Sequence, residues 1–374
     1  MAHPILSQPD RVVNAFVVLT IASCCGILPP MNKPIGIGII GAGFMGWLHA
    51  RALSQLSGVR IVAASDPNLK ELPKLASQQE PVRLLAEHGQ LLALKDIDAV
   101  VIASPEPQHR QAVEDAARAG KHILLEKPIA TTLPDADAII AAADQHRVKL
   151  MLAHLLRYDV RYAQIKSAVE EGVIGKPLVC YARRNATIQE ARRLKGRVEV
   201  EEYISVHDLD QVFWYFNDKA VKVSAEIAKG PVMQELGVHD YIWITIRFAG
   251  GGLAVVETGW GLSEAIGRWK RPTTWGGFGD VCLELIGEKG SLYLDYRPMT
   301  LAAVDEEGWK FPDTLHWPQL HGEIVGDVLE EDRYFLRVLR GQAPVISTGQ
   351  DGRNALEVVL AAMRSWREDK PVRL

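Results

Sequence analysis

Two patterns of apolar and polar positions follow one another along the chain. In the first part, short uninterrupted apolar runs alternate with stretches in which apolar residues recur every three or four positions. Such runs are typical of strands buried on both faces, and the wider spacing is typical of helices. The pattern predicts strands at Ile35–Ile40, Ile61–Ala64, Asp98–Ala103, His122–Leu125 and Lys149–Ala153, with helices at Phe44–Leu56, Glu71–Ser77, Gln108–Ala119 and Pro134–Gln145. This alternation implies βαβ units and a parallel, doubly wound sheet.

The pattern changes after about residue 155. It then predicts helices at Tyr162–Glu171, His207–Phe216, Asp327–Arg340 and Asp351–Trp366, and strands at Pro177–Arg183, Val221–Ile227, Tyr241–Phe248, Leu253–Gly259, Val281–Ile286 and Ser291–Tyr296. Short glycine-containing turns at 249–252 and 287–290 are typical of hairpins, so the second sheet should be largely antiparallel. The sequence therefore predicts a doubly wound Rossmann domain at 31–155. It also predicts an α+β domain with a large, mostly antiparallel open sheet at 156–374, whose last helices are candidates to pack back on the first domain.

The first thirty residues carry a separate pattern. Within the stretch 11–28, an apolar run is followed by Cys24, as in the core of a lipoprotein-type secretory signal. A secretory signal needs positive charge before its apolar run, but the only basic residue there is Arg11, whose charge Asp10 balances. The run is also shorter than the roughly 20 residues that span a bilayer. A start at Met31 explains the pattern better, because the chain then leads straight into the first strand. We therefore expect an extension or mis-assigned start and a cytoplasmic protein, with an exported form left open by the signal-like stretch.

Composition excludes several classes of protein. Of 374 residues, 48% are hydrophobic and 24% are charged, which is ordinary for a globular protein and argues against disorder. The net charge is −4, with no long run of one sign, so we expect neither nucleic acid nor membrane as a partner. The cysteines lack the spacing of a zinc site or a disulfide framework: Cys24, Cys25, Cys180 and Cys282. We expect no metal site and a reducing compartment.

A G-x-G-x-x-G motif follows the first predicted strand and opens the first predicted helix. It reads Gly41-Ala42-Gly43-Phe44-Met45-Gly46. In a chain with 31 glycines the motif alone is weak evidence. Its position is the stronger argument, because backbone N–H groups and a helix N-terminus then point at one spot suited to a pyrophosphate.

Asp66 lies twenty residues beyond Gly46, just after the second predicted strand. A carboxylate at this spacing accepts hydrogen bonds from the adenosine ribose hydroxyls of a dinucleotide. The alternative is an Asp-Pro turn, which we would prefer if the glycine motif were absent. The carboxylate repels a 2′-phosphate and no arginine stands beside it, so the sequence favours NAD over NADP.

Two further segments end parallel strands on the same rim of the sheet. One is Glu126-Lys127-Pro128 and the other begins with Ser104 and runs through Pro105 to His109. Doubly wound sheets bind their ligands at this rim. The proline biases the Lys127 backbone away from the helical conformation. Because Lys127 lies at this rim, it is a candidate functional residue rather than an ordinary solvated one.

Taken together, these pieces resemble the glucose–fructose oxidoreductase/inositol dehydrogenase/rhizopine-catabolism (Gfo/Idh/MocA) family from Met31 to Leu374. The resemblance rests on GAGFMG, SPEPQHR, EKP, RYDVRYAQIKSAVEEGVIGKPL, HDLD, LELIGEKGSLYLD and EVVLAAMRSWREDKPVRL. It implies a nicotinamide cofactor and hydride transfer at a carbinol carbon of a sugar, inositol or sugar nucleotide. It also implies a homodimer or homotetramer formed through the open sheet.

The resemblance also implies roles for individual residues. Lys127 corresponds to the lysine that touches the nicotinamide ribose and the substrate, and His207 to the acid/base at the reacting hydroxyl. A histidine suits that task because its unperturbed pKa is about 6.5. The expected cofactor contacts are Gly41, Gly43, Phe44, Met45, Gly46, Asp66, Ser104, Pro105, His109, Glu126 and Lys127. The expected substrate contacts are Arg157, Tyr158, Arg183, Asp208 and Trp260.

Two departures from the family pattern keep the substrate open. Many members carry an aspartate where this chain has Tyr203, and Phe-Asn where it has His154-Leu155. Inositol is therefore not assigned, and the Tyr203 phenol either orients His207 or simply packs. The alternatives are a ketose or anhydro-sugar reductase, and a non-catalytic dinucleotide-binding sensor. The presence of both Lys127 and His207 argues against the sensor.

Overall fold

The computed structural model describes residues 33–68, 70, 81–262, 278–296, 303–305, 308–310, 314 and 316–374. The first thirty residues and the predicted helix Glu71–Ser77 lie outside the described residues. Pro34–Leu374 packs as one unit. Within the described ranges, no helix has both the length and the apolar character needed to cross a bilayer.

Six parallel strands form the first sheet. They are β1 (Ile35–Ile40), β2 (Val59–Ser65), β3 (Arg83–Leu85), β4 (Ala99–Ile102), β5 (His122–Leu125) and β6 (Leu150–Leu152). Their spatial order is β3-β2-β1-β4-β5-β6, so the direction in which the sheet grows reverses between β1 and β4. Doubly wound sheets bind ligands at such a reversal. The predicted doubly wound fold is confirmed.

Helices cover both faces of this sheet. They are α1 (Phe44–Ser54), α2 (His88–Leu92), α3 (His109–Arg118) and α4 (Leu133–Gln145). On α3, Ala112, Val113, Ala116 and Ala117 are buried, which is the spacing of one apolar helix face. The start of α4 is capped by Thr132, whose hydroxyl accepts a hydrogen bond from the backbone N–H of Asp135 at 3.2 Å.

The second part of the chain is built on a larger sheet. The strands of this part are β7 (Pro177–Thr187), β8 (Ala220–Ala228), β9 (Tyr241–Phe248), β10 (Leu253–Leu262), β11 (Phe278–Gly287), β12 (Ser291–Tyr296), β13 (Ala303–Asp305), β14 (Gly308–Lys310), β15 (Gln319–Leu320), β16 (Glu323–Ile324) and β17 (Val372–Arg373). Seven of them form a sheet in the order β12-β11-β7-β10-β9-β8-β17. Every pair in it is antiparallel except β10 with β7, which confirms the predicted mostly antiparallel sheet.

One face of this sheet is buried and the other is open. Along β9, Ile242, Ile244 and Ile246 are buried, and the residues between them are exposed. A period of two places the isoleucines on one face of the sheet. The helices of this part are α5 (Val160–Glu170), α6 (Ile188–Leu194), α7 (Val206–Phe216), α8 (Pro231–Leu236), α9 (Asp327–Leu339) and α10 (Gly349–Glu368).

The last long helix joins the two sheets. α10 starts at a capping box in which Thr348 and Asp351 exchange hydrogen bonds. Its Leu356 belongs to the apolar core of the first sheet, and its Val358 and Val359 belong to the core of the second. Packing of the chain's end against the first domain was expected from the sequence.

Some elements differ from their predicted extents. β7 continues beyond Arg183 to Thr187, because the charge of the buried Arg184 is neutralised by Asp208, a partner that the sequence pattern does not reveal. A π-helical turn, Glu201–Ser205, precedes α7. The short elements β3, α2, α6 and α8 and the hairpins β13–β14 and β15–β16 were not predicted, since they hold too few residues for a periodic pattern.

Candidate active site

The loop between β1 and α1 requires glycine at two of its three motif positions. Gly41 has a φ of +95°, and a Cβ there would lie 2.6 Å from the Ala103 carbonyl oxygen and from the Ser104 nitrogen. A Cβ on Gly46 would lie 1.9 Å from the Gly41 oxygen. Gly43 differs, because a Cβ there would meet nothing within 4 Å. The Gly43 backbone begins α1 and faces open space that a phosphate group can enter.

Asp66 is anchored beside this loop. One of its carboxylate oxygens accepts a hydrogen bond from the Ala42 N–H at 2.8 Å, and the other accepts one from the Asn68 N–H at 2.7 Å. A carboxylate oxygen accepts more than one hydrogen bond, so both oxygens retain capacity for a ligand. Asp66, although far from the glycine motif in sequence, therefore lies beside the glycine loop in space.

An open cleft of about 990 Å³ runs along the rim of the first sheet. The structure brings these predicted residues together in its lining: Gly41, Gly43, Phe44, Met45, Asp66, Ser104, Pro105, Glu126, Lys127, Tyr203 and His207. Gly46 lies behind the glycine loop. His109 is buried behind the wall, where its ring nitrogens lie 3.0 Å from the Pro128 oxygen and 2.9 Å from the Ser104 oxygen. His109 therefore braces two of the loops that form the cleft.

Lys127 follows β5 and is only 9% exposed. Its Nζ donates a hydrogen bond to the Tyr203 carbonyl oxygen at 2.9 Å and lies 4.1 Å from the centre of the Tyr203 ring. Burial lowers the pKa of Lys127 to about 8, although the Glu126 carboxylate opposes the shift. A free lysine has a pKa of about 10.4 and is a poor base near neutrality. The burial of Lys127 in the fold brings its pKa closer to that range.

His207 lies in the first turn of α7 and is 4% exposed. Burial holds the pKa of His207 well below its ordinary value, and the positive charge of Lys127 adds to the effect. The imidazole is therefore neutral at pH 7. Among the residues that the structure describes, none hydrogen-bonds to its Nδ1. A neutral imidazole with spare hydrogen-bonding capacity is suited to exchanging a proton with a ligand.

Tyr203 contacts Lys127 through two of its groups. Its carbonyl oxygen and its ring both contact the lysine ammonium, and its hydroxyl accepts a hydrogen bond from Arg193 at 2.7 Å. Burial raises the pKa of Tyr203, so the phenol stays neutral near pH 7. These contacts favour a positioning role toward the lysine over the predicted alternative of orienting His207.

Two family models match the chain. The model described as "Oxidoreductase family, NAD-binding Rossmann fold" matches residues 35–154, and "Oxidoreductase family, C-terminal alpha/beta domain" matches residues 166–374. Both are models of the Gfo/Idh/MocA family. The chain belongs to this family. The resemblance noted from the motifs is thereby confirmed, and the chain is an oxidoreductase of an NAD-binding family.

Several relatives span nearly the whole Gfo/Idh/MocA chain. An uncharacterized oxidoreductase of Bacillus subtilis is 30% identical, over 91% of this chain and 97% of its own length. The myo-inositol 2-dehydrogenase of Thermotoga maritima is 27% identical, over 90% and 98%. The crystal structure of scyllo-inositol dehydrogenase from Lactobacillus casei with NAD(H) and scyllo-inositol superposes with a TM-score of 0.76 at 22% identity, covering 91% of this chain and 99% of that one. That likeness shows the shared fold.

The residues present fit the NAD of this Gfo/Idh/MocA family. Gly43 leaves backbone open where a side chain would fill the space, and Asp66 stands where ribose hydroxyls need an acceptor. The Ser104 hydroxyl is buried, with no hydrogen-bond partner in the part of the chain that the structure describes. A buried hydroxyl without a partner is costly and is explained by a ligand that supplies one.

Among the lining residues that sequence reasoning missed are two arginines and a tryptophan. Arg193 and Arg197 fall in no element predicted from the sequence, yet both line the cleft, and Arg197 forms a salt bridge with Glu106. Trp317 lies far along the chain and packs edge-on against Phe44, with ring centroids 5.7 Å apart. No local pattern singles out these residues, because each reaches the cleft only through tertiary packing.

None of the five residues expected at the substrate is part of this lining. Arg157, Asp208 and Trp260 are buried in the fold, whereas Tyr158 and Arg183 are half-buried. Arg157 donates to Asp210 at 2.9 Å, Arg183 donates to Asp280 at 2.9 Å, Asp208 accepts from Arg184 at 2.7 Å, the Tyr158 hydroxyl lies 3.2 Å from that of Ser347, and Trp260 donates to the His239 oxygen at 2.6 Å. The pair of Asp208 and Arg184 anchors the first turn of α7 and so fixes His207.

A second charged cluster supports the turn that carries Tyr203. His239, Glu199 and Glu201 bring their ligand atoms within 4.8 Å of one another. His239 Nδ1 lies 2.8 Å from Glu201 Oε1, and its backbone N–H donates to Glu199 at 2.7 Å. Burial alone would lower the pKa of His239, but the two carboxylates outweigh that effect and raise it. The contact between His239 and Glu201 ties the π-helical turn to the segment just before β9.

The position of Asp66 yields a prediction about cofactor preference. The unmutated protein should prefer NAD, because the carboxylate repels a 2′-phosphate. Asp66→Ala should narrow or invert the ratio of kcat/KM with NAD to that with NADP. Asp66→Asn is the matched comparison, since it keeps the shape while it removes the charge and replaces one acceptor oxygen by a donor nitrogen. Equal kcat/KM for the two cofactors in the unmutated protein would refute the role of Asp66.

Proposed function

We propose that this protein transfers a hydride between NAD and a secondary carbinol of a sugar or cyclic polyol. One observation carries the proposal, namely that a buried lysine and a neutral histidine line the same cleft as the glycine loop and Asp66. The relatives named as inositol dehydrogenases support this substrate class.

In the proposed mechanism the two side chains divide the work. The nicotinamide ring of bound NAD supplies the acceptor for the hydride, or its donor in the reverse direction. Lys127, whose pKa is about 8, is mostly an ammonium at pH 7 and stabilises negative charge that develops on the carbinol oxygen. His207 is neutral and takes the hydroxyl proton, which it returns in the reverse direction. Tyr203 holds the ammonium in place through its carbonyl and its ring.

A substrate panel tests the proposal. Purified protein with NAD should reduce the cofactor when supplied with at least one compound from a panel of inositol isomers and pyranoses, followed by NADH absorbance. Native mass spectrometry of protein purified without added cofactor should show retained dinucleotide. Reactions without the polyol, and reactions with the His207→Ala variant, are the controls. Binding of NAD without turnover of any sugar or polyol, in either direction, would contradict the proposed substrate class.

We also propose that the protein is a homodimer or homotetramer formed through the second sheet. The open face of that sheet carries large apolar side chains, including Trp243 at 50% and Tyr293 at 70% exposure. Exposed apolar surface of this kind is typical of protein–protein contacts. A second copy of the chain is the partner that the family resemblance implies.

A cytoplasmic location is part of the same proposal. Cys180 and Cys282 are buried free thiols. Free thiols persist in reducing compartments, where disulfides are rare. The chemistry of a soluble nicotinamide cofactor is consistent with that setting.

A further inference from the structure

A buried histidine outside the cleft joins three elements of the active site. His49 lies on α1, the helix that begins at the glycine loop, and its side chain is completely buried. Its Nε2 lies 3.1 Å from Glu126 Oε1, at the end of β5. Its Nδ1 lies 2.8 Å from Asp332 Oδ1, on α9. Both ring nitrogens therefore face carboxylate oxygens, an arrangement that is satisfied when both nitrogens carry protons.

Glu126 contacts both His49 and Lys127. Its other carboxylate oxygen accepts a hydrogen bond from the backbone N–H of Lys127 at 3.0 Å. Its negative charge is also the strongest of the influences that keep the lysine protonated against burial. The Glu126 carboxylate therefore affects both the position and the charge of Lys127.

The other charged groups around His49 come from α9. Glu331 is buried, and neither of its carboxylate oxygens has a hydrogen-bond partner in the described part of the chain. Burial raises the pKa of Glu331 well above its ordinary value, which favours its neutral acid form. Asp327, at the start of α9, is paired with His316. Asp332 and Glu126 are therefore the carboxylates that contact the His49 ring and can neutralise a positive charge on it.

We propose that His49 is a positioning residue, a buried imidazolium that holds the Glu126 carboxylate and through it sets the position and charge of Lys127. The inference rests on the function proposed for Lys127. The electrostatic environment supports the geometry. Burial alone would lower the pKa of His49, but Asp332 and Glu126 outweigh that effect and raise the pKa well above its ordinary value. His49 thereby links the cofactor helix, the catalytic lysine and α9.

Two neutral substitutions separate the two contacts. The amide nitrogen of glutamine can occupy the place of Nε2 and keep the bond to Glu126, whereas that of asparagine can occupy the place of Nδ1 and keep the bond to Asp332. Both variants remove the buried charge, so any loss of stability from that charge is common to both. A difference between His49→Asn and His49→Gln in the titration midpoint of Lys127 therefore reports the contact of residue 49 with Glu126.

The measurement is the titration of Lys127 itself, followed by ¹³C NMR of protein labelled at the lysine ε-carbon. The Lys127 signal is assigned by its absence in Lys127→Met. In His49→Asn, the Glu126 carboxylate loses the hydrogen-bond donor that holds it in place beside Lys127. Its negative charge is then held less closely to the ammonium, so the Lys127 midpoint should fall below the value of the unmutated protein. In His49→Gln the fall should be smaller.

Turnover should follow the same order. His49→Asn should lower kcat on the order of 10- to 100-fold through misplacement of the lysine, and His49→Gln should lower it less. A Lys127 midpoint that is the same in His49→Asn and in the unmutated protein would overturn the proposal. If the variants at position 49 do not fold, Asp332→Asn, which keeps the shape and removes the charge that stabilises the imidazolium, should lower the midpoint in the same direction, and an unchanged midpoint there overturns it too. The NMR titration needs no substrate, so its result stands apart from failure of the proposed function.

Discussion

Replacing His207 with alanine is expected to lower kcat on the order of 10²–10⁴-fold, the contribution typical of a positioned acid/base. Oxidation of a carbinol requires that a base take the hydroxyl proton while the hydride leaves carbon. His207 lines the cleft and is neutral at pH 7, because burial holds its pKa well below the ordinary value. The loss should therefore be in kcat, with a smaller effect on the affinity for NAD.

The pH profile gives this prediction a second measurement. Protonation of His207 should produce the acidic limb of kcat/KM, and that limb should lie below pH 6.5 because the pKa of His207 is lowered. The alanine variant should lack it. Tyr203→Phe is the control, since it keeps the ring and the carbonyl that contact Lys127 and should cost much less. Near-full turnover of His207→Ala with an unchanged profile would mean that the acid/base lies elsewhere, with Lys127 the leading candidate.

Replacing Lys127 with methionine should lower kcat/KM on the order of 10²–10³-fold, the cost of removing one donor to a developing oxyanion. Methionine keeps an unbranched apolar stem and removes the ammonium. Lys127→Arg is the matched control, because it keeps a positive charge but not the compact head that fits beside the Tyr203 ring. It should retain part of the activity that methionine loses.

The direction of the alkaline limb tests the role of the lysine. The pKa of Lys127 is about 8, so its ammonium is present below that pH and lost above it. If the ammonium is the active form, kcat/KM should fall as the pH rises through about 8, and Lys127→Arg should lack this fall. An increase of kcat/KM through the same range would show that the neutral amine is required, and would transfer the role of base from His207 to Lys127.

Much of the cofactor half of this protein was determined by local sequence. Strands such as Ala99–Ile102 are uninterrupted apolar runs because both faces are buried, and the glycine motif is required by close backbone contacts at Gly41 and Gly46. Asp66 and Lys127 were found because each directly follows a strand of a parallel sheet, where chain order specifies the edge that a residue occupies. Family membership was likewise evident from contiguous motifs.

The tertiary structure decided what depends on burial and on distant partners. Arg157, which the resemblance placed at the substrate, pairs with Asp210 inside a wall, and Trp317 reaches the cleft from near the end of the chain. The lowered pKa of Lys127 and the contacts of His49 with Glu126 and Asp332 arise only when separate segments exclude water from one place. Local patterns carry information about periodicity and strand ends. The charge state of a side chain is set instead by how many groups surround it in space, and these groups come from positions far apart in the sequence.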